Sequence, residues 1–100
     1  MIFVSELAKT AMLKSLRHSG VAPGHVLRLS WVRDGAALKV ALKVDQPRDS
    51  DYIIHHRDSP VLIVDRHTAN ALGDAAIDIH DGDKGAKLVF QRMRRSQQPS

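Results

Sequence analysis

The stretch VLIVDRHTANALGDAAIDIH, from Val61 to His80, constrains the fold more than any other part of the chain. Val61-Leu62-Ile63-Val64 is apolar throughout, the pattern of a strand buried on both faces. Asp65 stands where a helix N-cap belongs, and Gly73 stands where a short helix ends. Leu72 is then the buried anchor of that helix. Ala76–His80 restarts a strand through Ile77-Asp78. The spacing predicts strand, short helix and strand in close succession.

A longer helix is predicted before it. Ser5 occupies an N-cap position with Glu6 in the first turn, where the helix dipole favours an acid. Leu7, Ala8, Ala11, Met12, Ser15 and Leu16 follow the i, i+3, i+4 pattern of one core-facing stripe. Gly20 is the expected stop, and Pro23-Gly24 marks a loop. Ahead of Ser5, Ile2–Val4 reads as a short edge strand.

Between these helices the apolar period changes to two. Leu27, Leu29 and Trp31 alternate with Val26, Arg28 and Ser30, Asp34-Gly35 is a turn dipeptide, and Leu38, Val40, Leu42 and Val44 alternate with Lys39, Ala41, Lys43 and Asp45. That is a β-hairpin. Residues Asp51–His56 and Val61–Val64 form a second hairpin around Arg57-Asp58-Ser59-Pro60. Asp81–Gly85 is read as a turn and Ala86–Phe90 as the last strand. The order β-α-ββ-ββ-α-ββ defines an α+β fold with mixed, hairpin-rich sheets in a compact sandwich or distorted barrel. A single domain over residues 1–90 and a basic tail over 91–100 are expected, since 100 residues suit one domain.

Composition narrows the function classes. No apolar run approaches the roughly 20 residues of a membrane span, and the start MIFVSELAK does not have a secretion-signal pattern. The chain has no cysteine, which removes disulfides, thiolate ligands and thiol nucleophiles and fits a cytoplasmic setting. Fifteen Lys/Arg against eleven Asp/Glu give a net charge of +4, but the one dense basic cluster is Arg92, Arg94 and Arg95 in QRMRRSQQPS. A solvated tail explains it, and no aromatic interleaves with it to stack bases, so nucleic-acid binding is not favoured.

The six histidines are His18, His25, His55, His56, His67 and His80. His55 and His56 are adjacent on a strand and point to opposite faces, so they do not share an ion. His67, Asp78, His80 and Asp81 are the metal-ligand candidates if strand and helix ends converge. They lack a known ligand spacing such as H-E-x-x-H, and DIHDGDKG has the wrong acid spacing for a calcium loop. Surface histidines and turn-forming acids account for them without function, and that reading is favoured. There is no G-x-S-x-G elbow, no Walker A spacing and no recognisable carboxylate pair, so no catalytic residue is assigned and an enzyme is not expected.

The order of elements and several residues resemble the HesB/IscA-like, or A-type, iron–sulfur carrier family. The I-x-[VL]-[ST] start with a buried Ala is matched by Ile2, Val4, Ser5 and Ala8, and L-R-[VIL] by Leu27-Arg28-Leu29. The V-D-x-P segment is matched by Val44-Asp45-Gln46-Pro47, with Asp51 and Tyr52 opening the next strand. Ile63-Val64-Asp65, Thr68, Leu72, Gly73 and Ile77-Asp78 match the family's V-V-D-x-x-S-x-x-x-L-x-G-x-x-I-D, with Gly73 shifted by one. Gly85, Ala86 and Leu88 resemble the last-strand G-F-x-F. The resemblance covers about residues 2–90.

What the family implies about chemistry fails at its cysteines. Arg33-Asp34-Gly35-Ala36-Ala37 replaces the G-G-C-S-G-type turn, and the tail from Arg92 replaces the C-terminal C-G-C. No cluster ligand is carried over, and no cofactor is expected. The resemblance implies a degenerate A-type domain that binds a protein partner, such as an iron–sulfur assembly component, through Asp34-Gly35 or the arginines Arg92, Arg94 and Arg95. A homo-oligomer through a sheet edge is compatible. The alternatives left open are a mononuclear metal protein using His and Asp, and weak nucleic-acid binding by the tail.

Overall fold

The computed structural model describes residues 1–82 and 85–92. Among them the chain runs β1 (Ile2–Val4), α1 (Glu6–His18), β2 (Val26–Asp34), β3 (Ala37–Asp45), β4 (Tyr52–His56), β5 (Ser59–Val64), α2 (Arg66–Leu72), β6 (Ala75–Gly82) and β7 (Gly85–Arg92). This is the element order read from the sequence.

The strands form two sheets, β1-β6-β7 and β3-β2-β5-β4. Three neighbouring pairs are antiparallel, whereas β1 with β6 and β2 with β5 are parallel. Parallel neighbours need a crossover: β3 and β4 lie between β2 and β5, and most of the chain, including both helices, lies between β1 and β6. The Val61–His80 stretch does more than return to a sheet. Its helix α2 carries the chain from β5 in the four-stranded sheet to β6 in the three-stranded one.

The core lies where both sheets and both helices meet. Ala8 and Met12 of α1, Leu27 and Leu29 of β2, Val61, Leu62 and Val64 of β5, Leu72 of α2 and Ile77 of β6 form one buried cluster. Val61, Leu62, Ile63 and Val64 are all essentially inaccessible, as the unbroken apolar run required. Burying each Leu or Ile of this kind contributes roughly 1.5–3 kcal/mol.

Ser5 joins the first helix to the three-stranded sheet. Its Oγ accepts from the Ala8 amide at 3.1 Å as the N-cap and donates to Asp78 Oδ1 at 2.6 Å, while its own amide donates to the Ile77 carbonyl at 2.9 Å. Replacing Ser5 by Ala leaves a helix-end amide and Asp78 without this partner. The expected cost is about 1 kcal/mol, read as a lower urea midpoint with an unchanged slope.

Several expected boundaries move. Leu7 does not belong to the core stripe and is 69% exposed. It lies about 100° round the helix from Ala8, whereas Ala8 and Met12 share one face. The helix ends at His18 with Ser19 as C-cap, one residue before Gly20. In the last hairpin, strand pairing runs on to Gly82 and resumes at Gly85, so the turn is tighter than Asp81–Gly85. β7 also extends past Phe90, pairing Gln91 with Ala76 and Arg92 with Ala75.

Candidate functional site

In the family that the sequence resembles, one cluster ligand sits at the tip of the β2–β3 hairpin. Here β2 and β3 pair without interruption from Val26–Asp45 to Asp34–Ala37, leaving Gly35 and Ala36 as the turn. Gly35 has φ +65°, a left-handed conformation that an L side chain adopts only with strain. Asp34 Oδ2 is 3.0 Å from Lys39 Nζ, and both side chains are 65% exposed. Such a surface pair contributes under about 1 kcal/mol. The tip thus offers a carboxylate already neutralised by a lysine, with no thiol in the whole chain. These residues do not fit an iron–sulfur cluster, which requires thiolate donors.

The other candidates separate where they are described, and the side chain of Asp81 lies outside that description. His67 lies on α2 with its ring 6.2 Å from that of Trp31. Asp78 on β6 accepts from Ser5 Oγ and, at 2.7 Å, from the Ile79 amide, and these two hydrogen bonds hold its carboxyl below the usual range. His80 is exposed opposite Lys87. Among the described residues no three His, Asp or Glu side chains gather into a group able to hold a cation. Arg92 ends β7 on an exposed position, whereas Arg94 and Arg95 lie outside the described residues.

The most developed polar site was not singled out as a site from the sequence. Arg28, although it alternates with Leu27 and Leu29 on β2, is only 4% exposed. Its Nε donates to Asp45 Oδ2 at 2.7 Å, and its Nη1 and Nη2 donate to the two oxygens of Asp51 at 3.1 and 2.7 Å. Nη2 also donates to the Gln46 carbonyl, and Asp65 Oδ2 lies 3.8 Å from Nη1. The bidentate grip on Asp51, whose side chain is 1% exposed, is the strong geometry for this pair.

The electrostatics follow from these contacts. The hydrogen bond from Arg28 is the chief reason that Asp51 sits below the ordinary carboxylate range, in spite of its desolvation. Asp45 is lowered first by the Gln46 amide and then by Arg28. Asp65, the N-cap of α2, is lowered first by the Thr68 amide, which donates to it at 2.7 Å. Arg28 is in turn held further into its charged form by Asp51. Chemically the cluster is saturated: every guanidinium nitrogen has a partner, and it offers no acid, base or open ligand position. It ties β2, the 46–51 loop and the start of α2 together.

These four residues all occur in the segments that carry the family resemblance. Spacing alone gave no signal that they meet, because Asp45 reaches Arg28 through strand pairing, Asp65 through β5, and Asp51 only after the loop from Gln46 folds back.

This architecture is the A-type, HesB/IscA-like carrier fold. Two solved structures carry it closely: Escherichia coli SufA involved in biosynthesis of iron–sulfur clusters, with a TM-score of 0.73 over 91% of this chain and 79% of that one at 16% identity. The second is IscA with the [2Fe–2S] cluster, with a TM-score of 0.65 over 97% of this chain and 87% of that one at 17% identity. No family model and no curated protein matches the sequence.

Proposed function

We propose that the chain is a non-catalytic A-type domain that keeps the carrier scaffold without holding a cluster, and serves as a protein-interaction or regulatory module in iron–sulfur assembly. The observation that supports this reading is the pairing of the carrier fold, matched over 91–97% of this chain, with a hairpin tip made of Asp34, Gly35 and Ala36. A fold can present a docking surface when its chemical site is empty. No described helix is long and apolar enough to cross a membrane.

Anaerobic reconstitution with ferrous iron and sulfide tests the first half. The expected product, after desalting, retains neither stoichiometric iron and sulfide nor sulfide-to-iron charge-transfer absorbance. Retention of both would sink the reading. The second half predicts that the labelled full chain binds a purified iron–sulfur assembly protein in sedimentation velocity, with the cluster-free and cluster-loaded partner compared. Substituting Asp34 and Arg92 together is expected to weaken that complex by about tenfold or more, as loss of rim charges does at a modest interface.

A further inference from the structure

A second site lies away from the hairpin tip. Helix α1 and the β4–β5 turn enclose a groove of about 500 Å³ whose walls carry Thr10, Lys14 and Arg17 from the helix and His56, Arg57 and Ser59 from the hairpin. That volume is within the range of small-molecule sites, roughly 300–1,000 Å³.

Three features give it a chemical character. First, Lys14, Arg17 and Arg57 make no ion pair or side-chain hydrogen bond among the described residues. Lys14 and Arg17 are i, i+3 neighbours, so two like charges share one helix face while a third approaches from another element. The one acid on the walls, Glu6, is already engaged, with Oε1 3.6 Å from Lys9 Nζ and Oε2 3.3 Å from His56 Nδ1. Second, Arg57 has φ +57° and is the one non-glycine residue at positive φ among those described. It opens a two-residue turn closed by the His56–Ser59 pair, where glycine is the unstrained choice. An arginine is thus held at a strained position on the rim of a cationic groove, and strain of this kind collects at functional sites. Third, His56 is mostly buried at the back of the groove, with Glu6 Oε2 3.3 Å from its Nδ1 and Thr10 Oγ1 3.5 Å from its Nε2.

We propose that this groove binds a small anion bearing phosphate groups. Two guanidinium forks and an ammonium match phosphate oxygens in charge and geometry, and the Ser59 hydroxyl supplies a further donor, whereas that of Thr10 is given to the Glu6 carbonyl at 2.9 Å. The partly enclosed shape suits a compact ligand. The inference stands whether or not the chain acts in iron–sulfur assembly.

The test titrates the full chain with pyrophosphate, followed by amide spectra and calorimetry. One saturable site is expected, with shifts centred on residues 10–17 and 56–59. Arg57→Gly is expected to weaken binding about tenfold or more, as loss of one charged fork does, and at the same time to raise the unfolding temperature, because glycine relieves the strained turn. The pair Lys14→Gln and Arg17→Gln is expected to weaken binding further. Arg33→Gln with Lys43→Gln removes equal charge on the β2–β3 hairpin and is expected to leave affinity unchanged. Equal weakening in that control, unchanged affinity in Arg57→Gly, or no saturable binding at millimolar pyrophosphate overturns the proposal.

Discussion

Asp51→Ala is expected to lower the unfolding free energy by about 3 kcal/mol, a large part of the roughly 5–15 kcal/mol that holds a domain together. The substitution removes little volume from the core. Its effect arises because Arg28, 4% exposed, loses both bonds of its bidentate partner while it stays out of water. Losses from breaking a buried pair run to about 5 kcal/mol. The lower figure applies here because Asp45 still accepts from Arg28 Nε and the Gln46 carbonyl from Nη2. The double variant Arg28→Met with Asp51→Leu is expected to recover most of the loss, since no buried charge then lacks a partner. Urea titrations of the parent, Arg28→Met, Asp51→Leu and the double variant measure the coupling. A change within about 0.5 kcal/mol for Asp51→Ala would mean that the pair behaves as an exposed one.

Functional expectations meet this network at one point. The carrier fold places the β2–β3 hairpin tip far along β2 from Arg28: the network holds the base of that hairpin through Asp45, and the tip residues Gly35 and Ala36 are the turn at its other end. A tip without thiolates is therefore compatible with the elements that shape the fold. That separation explains how a chain without cysteine keeps the architecture seen in SufA and IscA.

What the sequence revealed, and what it hid, has a physical pattern. Local signals were reliable: the apolar run Val61–Val64, the caps Ser5 and Asp65, and the turn at Asp34-Gly35 each depend on neighbours a few residues away. The order of elements followed from them. Arg28 was hidden because period-two alternation assigns it to the face opposite Leu27 and Leu29 and says nothing of what covers that face. Its cover is made of acids 17 and 23 residues downstream, Asp45 at the end of β3 and Asp51 in the loop beyond it. The cationic groove was hidden for the same reason, since Lys14 and Arg57 come together only after α1 packs beside β4 and β5. The hairpin tip was located correctly by its turn chemistry, yet the metal candidates His67 and Asp78 were grouped by closeness in sequence. The structure instead gives His67 to Trp31 and Asp78 to Ser5.

Acid is expected to unfold the protein through this same cluster. Asp45, Asp51 and Asp65 are all lowered in the folded state, so each binds its proton more readily when unfolded. The sign is therefore fixed: their contribution is complete above the unfolded carboxylate value of about 3.9 and is lost as pH falls through that value toward the lower folded ones. Stability is expected to be level from neutral pH down to about pH 5 and to drop steeply below it. A carboxylate that takes up its proton only on unfolding gives a slope of up to about 1.4 kcal/mol per pH unit in the window between its two values. Asp51 is the member with the least access to water, so Asp51→Asn is the informative variant. It is less stable at neutral pH and its acid slope is shallower, because one proton-linked group is gone. Parallel curves for parent and variant between pH 5 and pH 3 would instead place the acid sensitivity outside the Arg28 cluster. The carboxylate to examine next would then be Asp78, also lowered, by its bonds from Ser5 and the Ile79 amide at the start of the first helix.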